Sequence, residues 1–283
     1  MTQESPALYV VPTPLGNLGD ITQRAIEILR QVPWVAVEDT RHSAPLLKHF
    51  GSSARLLAAH EHNEEAAAQQ VIAHLVDGDS VALISDAGTP AVSDPGARLV
   101  ARVRAAGFRV VPLPGPCAAV TALSASGLAE AHFLFYGFLP ARARQREDAL
   151  RGLTALPYAL VFYEAPHRIL ETVAALAAVL GPQRTLVIAR ELTKLFETIH
   201  SCPLGEAHDW LTAEANRQRG EFVLLVSGAP KAADDGEGEG ERVLKFLLDE
   251  GLSVRQAAKL AHSITGAGKN AMYERGLIIR KRV

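Results

Sequence analysis

The chain has 283 residues, 48% of them hydrophobic, and a formal net charge of −2. That length implies about two domains of roughly 100–200 residues each, with ample apolar material for a core. No apolar run approaches the roughly 20 residues of a membrane helix, and the near-neutral total argues against a generic nucleic-acid binder.

Leu8–Val11 reads as the first strand, followed by a Pro- and Gly-rich loop over 12–20. Asp20 is placed to cap a helix whose inner face carries Ile21, Ala25, Ile28 and Leu29. Trp34–Val37 is the second strand, ending in Glu38-Asp39-Thr40-Arg41, and a helix then runs to Phe50 and stops at Gly51. Arg55–Ala58 is a third strand. Asn63 is the expected cap of a helix bearing Val71, Ile72, Leu75 and Val76. Val81–Ile84 reads as a strand buried on both faces. It feeds Ser85-Asp-Ala-Gly-Thr-Pro-Ala-Val-Ser-Asp-Pro-Gly96, a turn-rich loop before the helix Ala97–Ala106, with Asp94 as its expected N-cap. Arg109–Leu113 is a fifth strand, leading into Pro114-Gly-Pro-Cys-Ala118. Regular strand–helix alternation implies a parallel α/β sheet.

A second α/β unit starts near His132, with strands at Phe133–Phe138, Tyr158–Tyr163, Thr185–Ala189 and Phe222–Val226. Helices are expected at Arg168–Leu180 and around Gly205–Glu214, and the strand-like character of Glu191–His200 points to a mixed sheet. The expected organisation is therefore an N-terminal domain over 1–127, a second domain over 128–228, a flexible acidic linker over 229–240 and a helical module over 241–283. In that module, helices are expected at Arg242–Glu250, from Ser253 with Val254, Ala257, Ala258 and Leu260 inward, and around Asn270–Ile279, a helix-turn-helix size. From Arg242 to Val283 nine Lys/Arg stand against three Asp/Glu, a net of +6 that leaves −8 on the remainder. A basic tail on an acidic body points to a polyanionic partner; the plainer account is a solvated helical surface.

The three Gly/Pro loops, at 12–20, 85–96 and 114–119, meet on one edge if their strands are parallel, which marks a small-molecule pocket built from backbone. Neither a Gly-x-Gly-x-x-Gly fingerprint after the first strand nor a Gly-x-x-x-x-Gly-Lys-Ser/Thr loop is present. The Glu38–Arg41 cluster would be costly to bury without partners; an Asp–Arg pair capping the helix is its simpler explanation. His60-Glu-His62 has no further ligands at a recognisable spacing, so no metal is expected. Cys117 and Cys202 are too few for a disulfide framework, and no signal peptide is expected at the start, so a cytoplasmic location is anticipated.

Taken together, Leu8–Arg24, Glu38–Arg41, Ser85–Gly96, Pro114–Ala118, Ala122–Gly127, Tyr163–Arg168, Ala189–Lys194 and Lys269-Asn270 with Tyr273 resemble the ribosomal RNA small subunit methyltransferase I family, of the tetrapyrrole-methylase fold. The resemblance implies a two-domain class III methyltransferase with a C-terminal helix-turn-helix module. It implies S-adenosylmethionine-dependent 2′-O-methylation of a cytidine in 16S rRNA within the small ribosomal subunit, by a homodimer. Pro14, Ala87, Gly88, Thr89, Val92, Cys117 and Ala118 match its cofactor-contacting loops, and Glu164 and Ala189 follow from the second domain. Where tetrapyrrole-modifying relatives carry an aspartate, this chain has Asn17, and an amide is no base. A ribose hydroxyl needs a base or a cation that favours its alkoxide. Glu38, Asp39 and Asp86 are unranked candidates for the first and Arg41 for the second. Arg142, Arg144 and Arg146, with Lys269 and Arg275 in the tail, are the expected RNA contacts. Competing readings are a small-molecule methyltransferase of the same fold and a non-catalytic ribosome-assembly factor.

Overall fold

The computed structural model describes residues 5–230 and 236–280. Its contacts divide the chain into two units, Met1–Gly228 and Ala229–Val283.

The first half of the larger unit alternates β1 (Ala7–Val10), α1 (Gln23–Gln31), β2 (Trp34–Val37), α2 (Thr40–His49), β3 (Arg55–Ala58), α3 (Glu64–Val76), β4 (Val81–Leu83), α4 (Ala97–Ala105), β5 (Arg109–Pro112) and α5 (Ala118–Ala125). Its five strands are all parallel, in the order β3-β2-β4-β1-β5. Leu8, Val35, Ala36, Val37, Val81 and Ala82 are fully buried because helices cover both faces. Since β4, β1 and β5 are neighbours, the three Gly/Pro loops leave the same edge side by side.

The second half contains β6 (Phe133–Phe138), α6 (Ala143–Arg151), β7 (Ala159–Glu164), α7 (Ile169–Leu180), β8 (Thr185–Arg190), β9 (Thr198–Pro203), α8 (Ala207–Ala213) and β10 (Phe222–Val226). The sheet is mixed, in the order β6-β7-β10-β8-β9, with only β6 and β7 parallel. The strand after Glu191 begins only at Thr198, because residues 191–197 turn the chain, with Glu191 and Thr193 at φ of 52° and 65°.

Local caps differ from the expected ones. Thr22, not Asp20, caps α1 by accepting from Ala25 N, while Asn17 caps a short 3-10 turn over Leu18–Asp20. Asn63 occupies the cap position of α3 but makes no cap bond; its amide accepts from His60 N and donates to Ala58 O. Of the apolar residues that helix bears, Val71 and Leu75 are buried while Val76 is 69% exposed. Asp94 does not cap α4. Gly96 holds that position, and the side chain of Glu64, from α3, accepts from the N–H groups of Gly96, Arg98 and Leu99 at 3.2, 3.0 and 3.4 Å. A buried carboxylate on three orphan amides at a helix start is charge-assisted and favoured by the helix dipole. Glu64→Ala should therefore destabilise the protein by about 1–3 kcal/mol, read as a lower urea midpoint with the m-value unchanged.

The smaller unit is helical: α9 (Gly236–Asp249), α10 (Val254–Thr265) and α11 (Lys269–Arg280). Leu244, Ala257, Ala258, Ala261, Ala267 and Met272 form its core. Ser253 and Gln256 make a capping box on α10, and Gly266 closes it in the left-handed conformation. The helix starts at Gly236, inside the stretch read as linker, while residues 231–235 of that stretch, including Asp234 and Asp235, lie outside the described residues. Composition misled there: Glu239 pairs with Arg242 and Glu241 with Arg275, and Gly240 permits close packing. A Cβ on Gly240 would stand 2.6 Å from the Cβ of Ala267. Leu260, expected inward, is 41% exposed.

Candidate active site

The three loops are tied to one another by backbone chemistry. Thr13 and Gly88 exchange two backbone hydrogen bonds of 2.8 and 3.0 Å, joining the first loop to the second. Thr13 Oγ1 also donates to Ser85 O, and Thr89 Oγ1 donates to Pro116 O at 2.7 Å, joining the second loop to the third. The third returns to the first through Gly115, where a Cβ would lie 2.6 Å from Pro12 Cβ. The second loop holds Gly88 at φ 81° and the non-glycine residues Ala91 and Ser93 at 66° and 65°. Left-handed backbone at such residues costs about 1 kcal/mol or more each and concentrates at functional sites.

These loops form one wall of a cleft of about 490 Å³, within the range of small-molecule sites. Leu15, Ala87, Gly88, Thr89, Val92, Cys117 and Ala118 supply its backbone and small side chains. Glu38, Asp86, Ser93 and Asp94 supply its polar edge. The opposite wall comes from the second sheet: Phe138, Tyr163–Pro166, Ala189, Leu192 and Glu221–Val223. Because β10 runs antiparallel to β7 and β8, its N-terminal end lies beside their C-terminal ends, which brings Phe222 and Val223 into the same cleft.

Tyr163 ties the two walls together. Its hydroxyl accepts from Ala119 N at 3.1 Å, serving the start of α5, where Cys117 makes no side-chain cap. Burial pushes its phenol up, with Cys117 adding to the shift. Phe135 and Phe138 pack edge-on against its ring. Lys194 makes a second tie: its ammonium bonds Glu191 and Glu221, and its stem lies against Gly16 of the first loop.

The carboxylates at the cleft separate into distinct roles. Asp39 does not line it. Its oxygens accept from Arg41 N and the Arg41 guanidinium, and those bonds hold its carboxyl down at about 2. Arg41 is exposed, its side chain turned to Asp39. The Asp–Arg helix cap is thus realised in this pair. Glu38 lines the cleft and is pushed up, first by burial and then by the charges of Asp86 and Asp39. Asp94, half-buried, is pushed up to about 6, first by burial and then by Glu38, with the Ser85 hydroxyl acting the other way. Asp86 has one carboxylate oxygen buried without a hydrogen-bond partner.

Other anticipated residues are placed differently. Pro14 is buried and does not line the cleft, whereas its neighbour Leu15 does. Glu164 lines the cleft, yet its carboxylate is held by Thr172 Oγ1, Ala165 N and the Arg168 guanidinium, so it anchors the loop after β7. Arg142 and Arg144 are exposed. Arg146 is not available as an RNA contact: it is 3% exposed and paired with Glu171, since it shares the inner face of α6 with Leu150 four residues on. Lys269 is exposed, and Arg275 is engaged with Glu241. Sequence reasoning missed Asp94 as a cleft residue and Tyr163 as the tie. Both stand inside motifs already singled out, at strand ends or loops on the shared edge. Among the described residues no group of three or more His, Cys, Asp or Glu could hold a metal ion, and no helix is long and apolar enough to cross a membrane.

The pattern describing the family Tetrapyrrole (Corrin/Porphyrin) Methylases matches residues 7–208, and that of the RsmI C-terminal HTH domain matches residues 234–280. The chain is 52% identical over 270 residues to Ribosomal RNA small subunit methyltransferase I of Escherichia coli O157:H7, covering 95% of this chain and 94% of that protein. It is also 52% identical over 272 residues to the protein of the same name from Pseudomonas aeruginosa, covering 95% and 96%. Among solved structures, uroporphyrin-III C-methyltransferase of Thermus thermophilus, complexed with S-adenyl homocysteine, superposes with a TM-score of 0.55 at 17% identity, over 79% of this chain and 98% of that one. That likeness is one of fold.

Proposed function

The chain belongs to the ribosomal RNA small subunit methyltransferase I family, and from that premise we propose that its cleft binds S-adenosylmethionine and that the protein methylates the 2′-hydroxyl of a cytidine in 16S rRNA. The observation that carries the reading is the cleft itself: a backbone-lined pocket of about 490 Å³ with Glu38, Asp86 and Asp94 along one edge. The residues fit the methyl donor. Gly88 leaves its backbone bare at the cleft, Ala87, Ala118 and Ala189 keep the walls low, and the carboxylates favour a cationic sulfonium. When bound, the donor supplies an already activated methyl group. The halves over 1–127 and 128–228 contribute one wall each.

What the chain must add is alignment and a proton acceptor. Asp39 is a weak base because its charge is committed to Arg41 and to the start of α2. Asp94 is the better base: it lines the cleft, and burial beside Glu38 raises its proton affinity toward the working pH. In this reading Asp94 receives the ribose proton, Glu38 and Asp86 tune it, and Arg142 and Arg144 meet RNA phosphates. Leu195, Phe196 and Ile199, exposed at 89%, 67% and 40%, are suited to burial between two copies, which supports a homodimer. The expected substrate is the RNA within the small subunit, in the cytoplasm.

Incubation with labelled methyl donor should transfer label to small ribosomal subunits lacking this modification, with the label recovered as a 2′-O-methylcytidine. Label on a porphyrinoid instead would favour the small-molecule reading, and no turnover on either would favour a non-catalytic assembly factor.

A further inference from the structure

The C-terminal unit contains a hollow of its own, about 280 Å³, lined by Arg255 and Ala258 of α10 and by Lys269, Asn270 and Tyr273 of α11. Ala258 is 1% exposed and forms its floor, where any larger residue would fill the space. Arg255 and Lys269 are exposed, and neither has an ion pair among the described residues. Arg242 and Arg275 of the same unit, by contrast, are held by Glu239 and Glu241. Tyr273 is 43% exposed, so part of its ring is open to a partner. Two free cations, an aromatic ring and an amide around a small hollow are the parts that grip one nucleotide: charge for the phosphate, a ring for stacking and an amide for a base edge.

The partner's shape follows from the size of the hollow. A helix-turn-helix that reads duplex DNA lays its second helix in a wide major groove. The major groove of A-form RNA is deep and narrow and does not admit that helix, whereas unpaired bases can be splayed out and stacked. We propose that this hollow takes one unpaired ribonucleotide of the substrate RNA, its base on the Tyr273 ring, its phosphate between Arg255 and Lys269 and its base edge at Asn270. The inference rests on the RNA reading above and deepens it: the C-terminal unit grips single-stranded RNA rather than a helix.

The test uses the full chain and a short fluorescent single-stranded oligoribonucleotide of small-subunit sequence, with the same sequence as a duplex beside it. Tyr273→Ala should weaken single-strand binding roughly 5- to 150-fold, the range of one lost base–aromatic stack, and Tyr273→Phe should restore it. The Arg255→Ala/Lys269→Ala double variant should reduce the slope of log affinity against log salt by about 0.7, the share of the one single-strand phosphate they hold between them. Duplex binding should be insensitive to Tyr273. Wild-type protein that binds RNA while both variants match it would overturn the inference and leave the methyltransferase reading standing. Equal loss with Phe and with Ala, or a duplex equally sensitive to Tyr273, would also overturn it. Wild-type protein that binds no ribosomal RNA would overturn both.

Discussion

Asp94→Asn should lower kcat for methyl transfer by about 10²–10⁴-fold, the range a positioned general base supplies. Asparagine keeps the size and one hydrogen-bonding oxygen but accepts no proton. The pH profile separates this role from a structural one. Asp94 must be ionised to act, and burial with Glu38 and Asp86 raises it to about 6. In the wild-type protein kcat/KM should therefore climb as pH rises through about 6 and level off above it. In the Asn variant that limb should vanish. Asp86→Asn removes a neighbouring negative charge, so it should move the limb to lower pH while activity persists. The same shift has a stability sign. Asp94 binds its proton more tightly folded than unfolded, so its contribution is fully present below its ordinary 3.8 and is lost as pH rises through about 6. An Asn variant with wild-type kcat, or one that keeps the limb at the same midpoint, would rule Asp94 out and leave Glu38 as the next carboxylate to replace.

Deleting residues 229–283 should weaken RNA binding by about one to two orders of magnitude and leave S-adenosylmethionine affinity unchanged, because every residue lining the cleft lies upstream. The deleted segment carries ten Lys/Arg and eight Asp/Glu, so its net charge is small. The expected loss comes from where the cations stand, and each phosphate contact removed should flatten the salt slope by roughly 0.7–0.9. The effect should appear as a higher KM, with kcat retained at saturating small subunits, since the proton acceptor and the methyl-donor cleft remain. If the helical unit only covers an apolar surface, the deletion would lower the melting temperature and leave the salt slope unchanged. Measuring both on one truncated protein decides between them.

Much of the cleft was legible in the chain because it is made of local features. Gly88 and the prolines around it mark loops through their backbone preferences alone, and hydrophobic runs such as Val81–Ile84 mark buried parallel strands. Ala87, Gly88, Thr89, Val92, Cys117 and Ala118, which the family resemblance singled out within those loops, all line the cleft. The residues misread depended on partners distant in sequence. Nothing near Glu64 announces that it serves α4, 32 residues on at Gly96. Arg146 looks like its neighbours Arg142 and Arg144 until folding buries it and pairs it with Glu171, 25 residues on.

The sequence by itself determined the alternation of strands and helices, the three turn-rich loops and the helical end of the chain, because propensity, periodicity and turn chemistry act over a few residues. Only the tertiary structure set the proton affinity of the carboxylate proposed as the base. Asp39 is held at about 2 by Arg41, a near neighbour that the local motif already offered as a helix cap, whereas Asp94 is raised to about 6 by burial beside Glu38, far off in the chain. At Asp94 proton affinity depends on desolvation and on a charge brought near by folding, and neither is a property of the local sequence.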